Sequence, residues 1–177
     1  IGYDIVPFNF RSHSLPRQKK LMCHFKINNI LDVGANVGNY GLKIIKDMSF
    51  KGNIYSFEPM SKEFEILNNI ASNYENWFVF NLALGSKKES SEINISENSV
   101  SSSILDILPK HTNSAPSSRF INKQKINVET LDNIFFQNNL LTKSNLLKLD
   151  VQGFEKEVLT GGRKALRYID TLHVEMS

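Results

Sequence analysis

The residues with the clearest chemical potential form the stretch Asp32-Val33-Gly34-Ala35-Asn36-Val37-Gly38-Asn39. It follows a short apolar run and opens a helical one. A parallel sheet binds ligands at such points, at the carboxyl ends of its strands. Gly34 and Gly38 let the backbone approach a ligand and adopt unusual φ. A dinucleotide loop of the form G-x-G-x-x-G would need glycine at positions 36 and 39, and asparagine stands at both. An acid at the strand end, Asp32, repels a pyrophosphate and suits a ligand that carries an ammonium group. S-adenosylmethionine carries an ammonium and a sulfonium. A second acid, in Phe57-Glu58-Pro59, can accept hydrogen bonds from ribose hydroxyls at the tip of the next strand, and Pro59 fixes the turn behind it. A helix-start carboxylate favoured by the helix dipole is the plainer account of Glu58.

Asp150 ends a later apolar run, and three roles stay open for it: a base, a partner for a ligand's ammonium, or a metal ligand. Glu155 stands at a helix start, where the dipole favours an acid. An isolated Asp–Glu pair makes a poor site for a hard cation, which takes about six oxygens, so no metal is expected. His173 and Glu175 alternate along a terminal strand and share a face, so either could serve as a base if that face meets the pocket. A hydrogen-bonded strand histidine is the plain alternative for His173. His13, His24 and His111 have no partner spacing. Ser101 to Ser103 either reach a ligand through their hydroxyls or simply form a loop. Cys23 reads as a small buried thiol. A lone cysteine excludes an intramolecular disulfide and a cysteine-based zinc site.

The elements that must position these groups follow from the apolar pattern. Pro16 opens a helix over Arg17 to Phe25. Strand Ile30–Val33, helix Asn39–Asp47, strand Ile54–Phe57, a helix capped by Ser61 with Phe64, Leu67 and Ala71 on one face, and strand Trp77–Phe80 come next. This β-α-β-α-β order implies a parallel sheet with right-handed crossovers. Lys87 to Ser118 is rich in Ser and Asn and reads as a long loop with one short strand near Ile93 and Ile95. Structure resumes at Ile126–Val128, then a helix from Thr130 through Phe136. Strand Leu146–Val151, helix Phe154–Thr160, a helical turn at Ala165–Tyr168 and strand Thr171–Glu175 complete the chain. Residues 1–29 form an N-terminal segment with a helix, and residues 30–177 one domain.

The 177 residues fit one domain at roughly 150 residues each. Hydrophobic residues make up 41% and charged residues 22%, which excludes a wholly disordered or collagen-like chain. The net charge of +3 comes without a dense basic stripe, so nucleic acid is not an expected partner. No run approaches the ~18 apolar residues of a membrane helix and no signal-peptide core is visible, so a cytoplasmic protein without a membrane span is expected. The chain starts at Ile1 and stops in a strand, which reads as a fragment of a longer reading frame.

Taken together, the motifs resemble the FkbM family of S-adenosylmethionine-dependent methyltransferases. Ile30 to Gly38 is similar to its first motif, and Phe57-Glu58-Pro59 to its second. Asn81-Leu82-Ala83-Leu84-Gly85, Ser101-Ser102-Ser103-Ile104-Leu105 and Val128-Glu129-Thr130-Leu131-Asp132 resemble further segments. Leu147 to Glu155, continued by Val158-Leu159-Thr160-Gly161-Gly162, resembles the most characteristic one, and His173 to Ser177 the strand near the domain's end.

The resemblance implies an α/β, three-layer, Rossmann-like class I methyltransferase sheet, mostly parallel. It also implies methyl transfer to an oxygen, with a hydroxyl on a sugar, glycolipid or natural product as acceptor. By the same resemblance Asp32, Gly34, Ala35, Asn36 and Gly38 line the cofactor's amino-acid end. Glu58, backed by Pro59, holds the ribose, and Leu82 and Ala83 lie near the adenine. Many methyltransferases place a polar residue where this chain has Ala83, so its backbone or another group would have to serve. Asp150 is the first candidate base, with His173 and Glu175 behind it. Five main strands fall in matching positions, with two doubtful ones around Ile93 and Ile126. The final pair of a seven-stranded sheet is expected to be missing, which would expose an edge and permit a homodimer. Two other readings compete: an NAD-dependent oxidoreductase or epimerase, which the missing glycine triplet disfavours, and a truncated domain that binds without catalysis.

Overall fold

The computed structural model describes residues 14–96, 120–140 and 144–175. Expectations for His13, for Ser101 to Ser103 and for His111 lie outside the described residues.

Five strands form one parallel sheet: β1 (Asn29–Val33), β2 (Asn53–Phe57), β3 (Trp77–Phe80), β7 (Asn145–Leu149) and β8 (Ile169–Val174), in the order β3-β2-β1-β7-β8. The order reverses between β1 and β7, and this switch point is where such sheets bind ligands. β1, β2 and β7 are almost wholly buried, as strands covered on both faces must be.

Alternation along the strands divides the core in two. Ile30, Ile54 and Leu146 point to one face, where they meet Met22 of α1 (Ser14–His24), Ile44 and Met48 of α2 (Asn39–Met48), and Leu67 and Ala71 of α3 (Ser61–Ala71). Leu31, Val33, Tyr55, Phe57, Leu147 and Leu149 point to the other. There Leu131, Ile134 and Phe135 of α4 (Leu131–Gln137), Val158 of α5 (Glu155–Thr160) and Ala165 of a 3₁₀ turn (Ala165–Tyr168) cover them. The result is the expected three-layer α/β arrangement.

Several local expectations are corrected. The strands expected near Ile93 and Ile126 are both present, and both are long. β5 (Glu89–Ser96) pairs antiparallel with β6 (Phe120–Glu129), and β4 (Ala83–Leu84) runs parallel to β6 on its other side. Met60, Ala83, Ile93, Ile126 and Val128 form the apolar cluster beneath this second sheet. Only one face is buried, so the solvent-side Ser, Asn and Lys residues hide the full length of the strands. Ser61 does not cap α3; Met60 occupies the cap, and the Ser61 hydroxyl accepts from Gln124 Nε2 at 2.9 Å. The buried stripe of α3 is Glu63, Leu67 and Ala71, one residue out of phase with the expected Phe64. Cys23 is exposed, because α1 turns Met22 inward instead.

Candidate active site

The loop after β1 is held by backbone conformation and by one carboxylate. Gly34, Asn36 and Gly38 all have positive φ, at 76°, 49° and 86°. The amides of Gly34 and Ala35 donate to the Phe57 carbonyl at 3.1 Å, which seats the loop on the end of β2. A Cβ on Gly34 would lie 1.9 Å from the Asp150 carbonyl oxygen, and one on Gly38 would meet Leu67 and Trp77. Both glycines are therefore fixed by close packing within the protein, over and above any need of a ligand.

Glu58 is 5% exposed and uses both carboxylate oxygens on backbone donors. Asn36 N–H donates to one and Met60 N–H to the other, each at 2.8 Å. Glu58 thus clasps the loop after β1 to the loop after β2. Burial pushes its carboxyl up to about 7, against the pull of those two amides; Glu63 and Asp32 add to the rise. Asn81 Nδ2 donates to the carbonyls of Glu58 and Pro59 at 2.9 and 3.1 Å, pinning the segment that carries Leu82 and Ala83 beside Glu58. Leu82 is half-buried against the core under α4 and α5, and Ala83 is buried under the second sheet. Gln124 of β6 also reaches the Pro59 carbonyl, at 3.3 Å.

Across the strands runs a ladder of polar side chains on the α1–α3 face. Asp32 stands opposite Ser56 on one side and Lys148 on the other, and Lys148 stands opposite His173. Trp77 Nε1 donates to Ser56 Oγ at 2.9 Å, and Ser56 Oγ to Asp32 Oδ2 at 3.5 Å. Lys148 Nζ lies 3.2 Å from Asp32 Oδ1 and 3.5 Å from Asp150 Oδ2, and it donates to the Gly34 carbonyl at 3.3 Å. The Tyr40 ring covers the ammonium at 5.4 Å from its centroid, and Gln18 of α1 donates to the Tyr40 hydroxyl. Burial disfavours the Lys148 charge, but Asp32, Asp150 and Glu175 outweigh it and hold the ammonium above its ordinary range. Burial pushes Asp32 up while Lys148 pulls it back. Burial and the nearby Asp32 raise Tyr40.

Asp150 follows β7 directly. Its side chain is 22% exposed, against none for Asp32. Gln152 Nε2 donates to its Oδ1 at 2.9 Å. Glu155 accepts from the amides of Val151 and Gly153, so it serves its own helix start. His173 packs against Tyr40 with ring centroids 6.3 Å apart, and its Nδ1 is buried without a hydrogen-bond partner among the described residues. Glu175 is exposed at the end of β8, its amide donating to the Leu149 carbonyl. The carboxyl edge of the sheet thus gathers Asp32, Asp150 and Glu175 around one buried ammonium, with Glu58 bound to the loop amides beside them.

A family model described as the methyltransferase FkbM domain matches residues 32–177. The chain belongs to the FkbM methyltransferase family. A comparison with curated proteins finds no match. In this FkbM domain the match begins at Asp32, so α1, with the Gln18 that holds Tyr40, lies before it.

Sequence reasoning missed Lys148, Tyr40, Ser56 and Gln18. A signal for Lys148 was present: it is the one charge inside the run Leu146-Leu147-Lys148-Leu149. A charge in a strand buried on both faces needs a partner, and Asp32 stands at the matching position of β1.

Proposed function

We propose that this FkbM domain transfers a methyl group from S-adenosylmethionine to a hydroxyl of a small-molecule or glycan acceptor such as a sugar, glycolipid or natural product. The observation that carries this reading is the acid excess at the sheet's switch point, where three carboxylates, Asp32, Asp150 and Glu175, act on one buried ammonium. A ligand with an ammonium and a sulfonium fits that donor set, whereas the phosphates of a dinucleotide would be repelled. When bound, the cofactor supplies an electrophilic methyl group. Each Glu58 oxygen keeps a second acceptor position beyond its backbone amide, suited to ribose hydroxyls. Asp32 has no exposed surface, so it acts through Lys148 rather than by touching a ligand.

Asp150 is the group we assign to the acceptor. Lys148 and Gln152 hold its two oxygens, and its side chain stays 22% exposed at the carboxyl edge of the sheet. It orients the acceptor hydroxyl and takes its proton as the oxygen attacks. His173 and Glu175, one strand over, stand behind Asp150 as alternative proton acceptors. In-line alignment of oxygen, methyl and sulfur is the larger task, an orientation effect of about several kcal/mol.

The decisive experiment is calorimetric titration of the chain with S-adenosylhomocysteine and, separately, with NAD. Saturable binding of the former, weakened about tenfold or more in Glu58→Ala, supports the reading. Binding of NAD alone overturns it. With an acceptor in hand, an Asp150→Asn variant that binds cofactor and transfers methyl at the normal rate removes the base assignment.

A further inference from the structure

We infer that Lys148 is a positioning residue: its ammonium ties the loop after β1 to the loop after β7 and so fixes the cofactor cleft before any ligand arrives. The inference rests on the methyltransferase reading for the identity of the ligand, but not for the tie itself.

Three oxygens surround the ammonium, two as hydrogen-bond acceptors and Asp32 Oδ1 as an ion-pair partner. Asp32 Oδ1, the Gly34 carbonyl and Asp150 Oδ2 lie 3.2, 3.3 and 3.5 Å from Nζ. One acceptor sits in β1, one in the loop after it, and one in the loop after β7. Asp150 N–H donates to the Val33 carbonyl at 3.0 Å, but from that point each loop leaves the sheet. The ammonium is the side-chain link that continues the pairing past the strand ends. Lys148 is 4% exposed, and Tyr40 closes over it. The charged and titratable groups around it are Asp32 on β1, Tyr40 on α2, His173 and Glu175 on β8, and Asp150. Packed among these groups with only 4% of its surface exposed, Lys148 is poorly placed to give a proton to an acceptor or cofactor. Its effect must pass through the groups it holds. A neutral side chain of similar length would fill the space but release Gly34 and Asp150, and a loop set about an ångström off costs binding steeply.

The test separates this tie from plain stabilisation. Lys148→Met leaves the buried Asp32 without its cation, so the Asp32→Asn/Lys148→Met double variant is the main probe. Exchanging a buried ion pair for neutral groups is commonly tolerated. Amide hydrogen exchange is followed in the unliganded chain, and S-adenosylhomocysteine is titrated into the same samples. In the double variant, exchange at Gly34 to Gly38 and at Gln152 and Gly153 is expected to speed by about tenfold, while Ile30 and Leu146 keep their protection. The dissociation constant for S-adenosylhomocysteine is expected to rise about tenfold or more, and Lys148→Arg to recover part of both effects. Unchanged loop exchange in the double variant overturns the inference. So does an equal rise in the loops and at Ile30 and Leu146, which would mean only lower global stability. If the unaltered chain does not bind S-adenosylhomocysteine at all, the methyltransferase reading fails, and the exchange data still decide the role of Lys148.

Discussion

At the scale of single residues, burial sets the terms on which charge is allowed near the cleft. Glu58 is pushed to about 7, above its ordinary 4.5. Its folded value therefore exceeds its unfolded one, and the native state binds the extra proton between those limits. The associated stability is complete below about 4.5 and is lost as pH rises through about 7. Thermal melts at pH 5 and pH 7.5 should show a fall that Glu58→Gln, which cannot titrate, lacks. Lys148 gives a second prediction. Removing it alone, as Lys148→Met, leaves Asp32 uncompensated and should cost about 3–5 kcal/mol in urea unfolding, most of which Asp32→Asn added to it restores. Asp32, Gly34, Asn36, Glu58 and Asp150 were legible in the sequence because an acid at a strand end beside glycines is a local pattern. The link from Asp32 to Lys148 was not, because it joins residues 116 positions apart (148 − 32) that only the strand order brings together.

At the scale of elements, two features show how little freedom the loops have. Gly34 combines φ of 76° with an approach in which a Cβ would sit 1.9 Å from the Asp150 carbonyl. Gly34→Ala should lower stability by more than the roughly 1–3 kcal/mol of backbone strain alone, because the clash is with main chain. Chemical denaturation measures it. Thr130 caps α4, its side chain accepting from Asn133 N–H at 3.2 Å. Thr130→Ala should cost about 1 kcal/mol by the same assay. The start at Thr130 was readable from the sequence, since Thr before Leu131, Ile134 and Phe135 is a cap followed by a helical stripe. The Ser61 cap was not fulfilled because Glu58 had already taken the Met60 amide, drawing the chain into the helix one residue early. β5 and β6 were legible only as short strands near Ile93 and Ile126 for a related reason: their strength lies in pairing with each other, and neither has an apolar run of its own.

At the scale of the molecule, the β-α-β-α-β order implied the parallel sheet, the resemblance to the FkbM family implied its three layers, and the strand order with its switch point came from the structure. The second sheet was implied by neither, and it matters to the site because Gln124 reaches from β6 to the Pro59 carbonyl and the Ser61 hydroxyl. Gln124→Ala should weaken S-adenosylhomocysteine binding several-fold while leaving the melting temperature within a few degrees, as calorimetry on one sample can show. The polar ladder has a further consequence. Asn29 bonds Asn145 at 3.0 Å and accepts from Asn53 at 3.1 Å, so β2, β1 and β7 carry one polar rung at their starts and the Ser56–Asp32–Lys148 rung near their ends. Among leucines and isoleucines a parallel strand could slide by two residues and still bury grease. Here such a slip would set the Lys148 ammonium against Ile30 and strand an amide at the other end. The two rungs thus act as a key to the frame of the sheet: only the native register gives every buried charge and amide its partner.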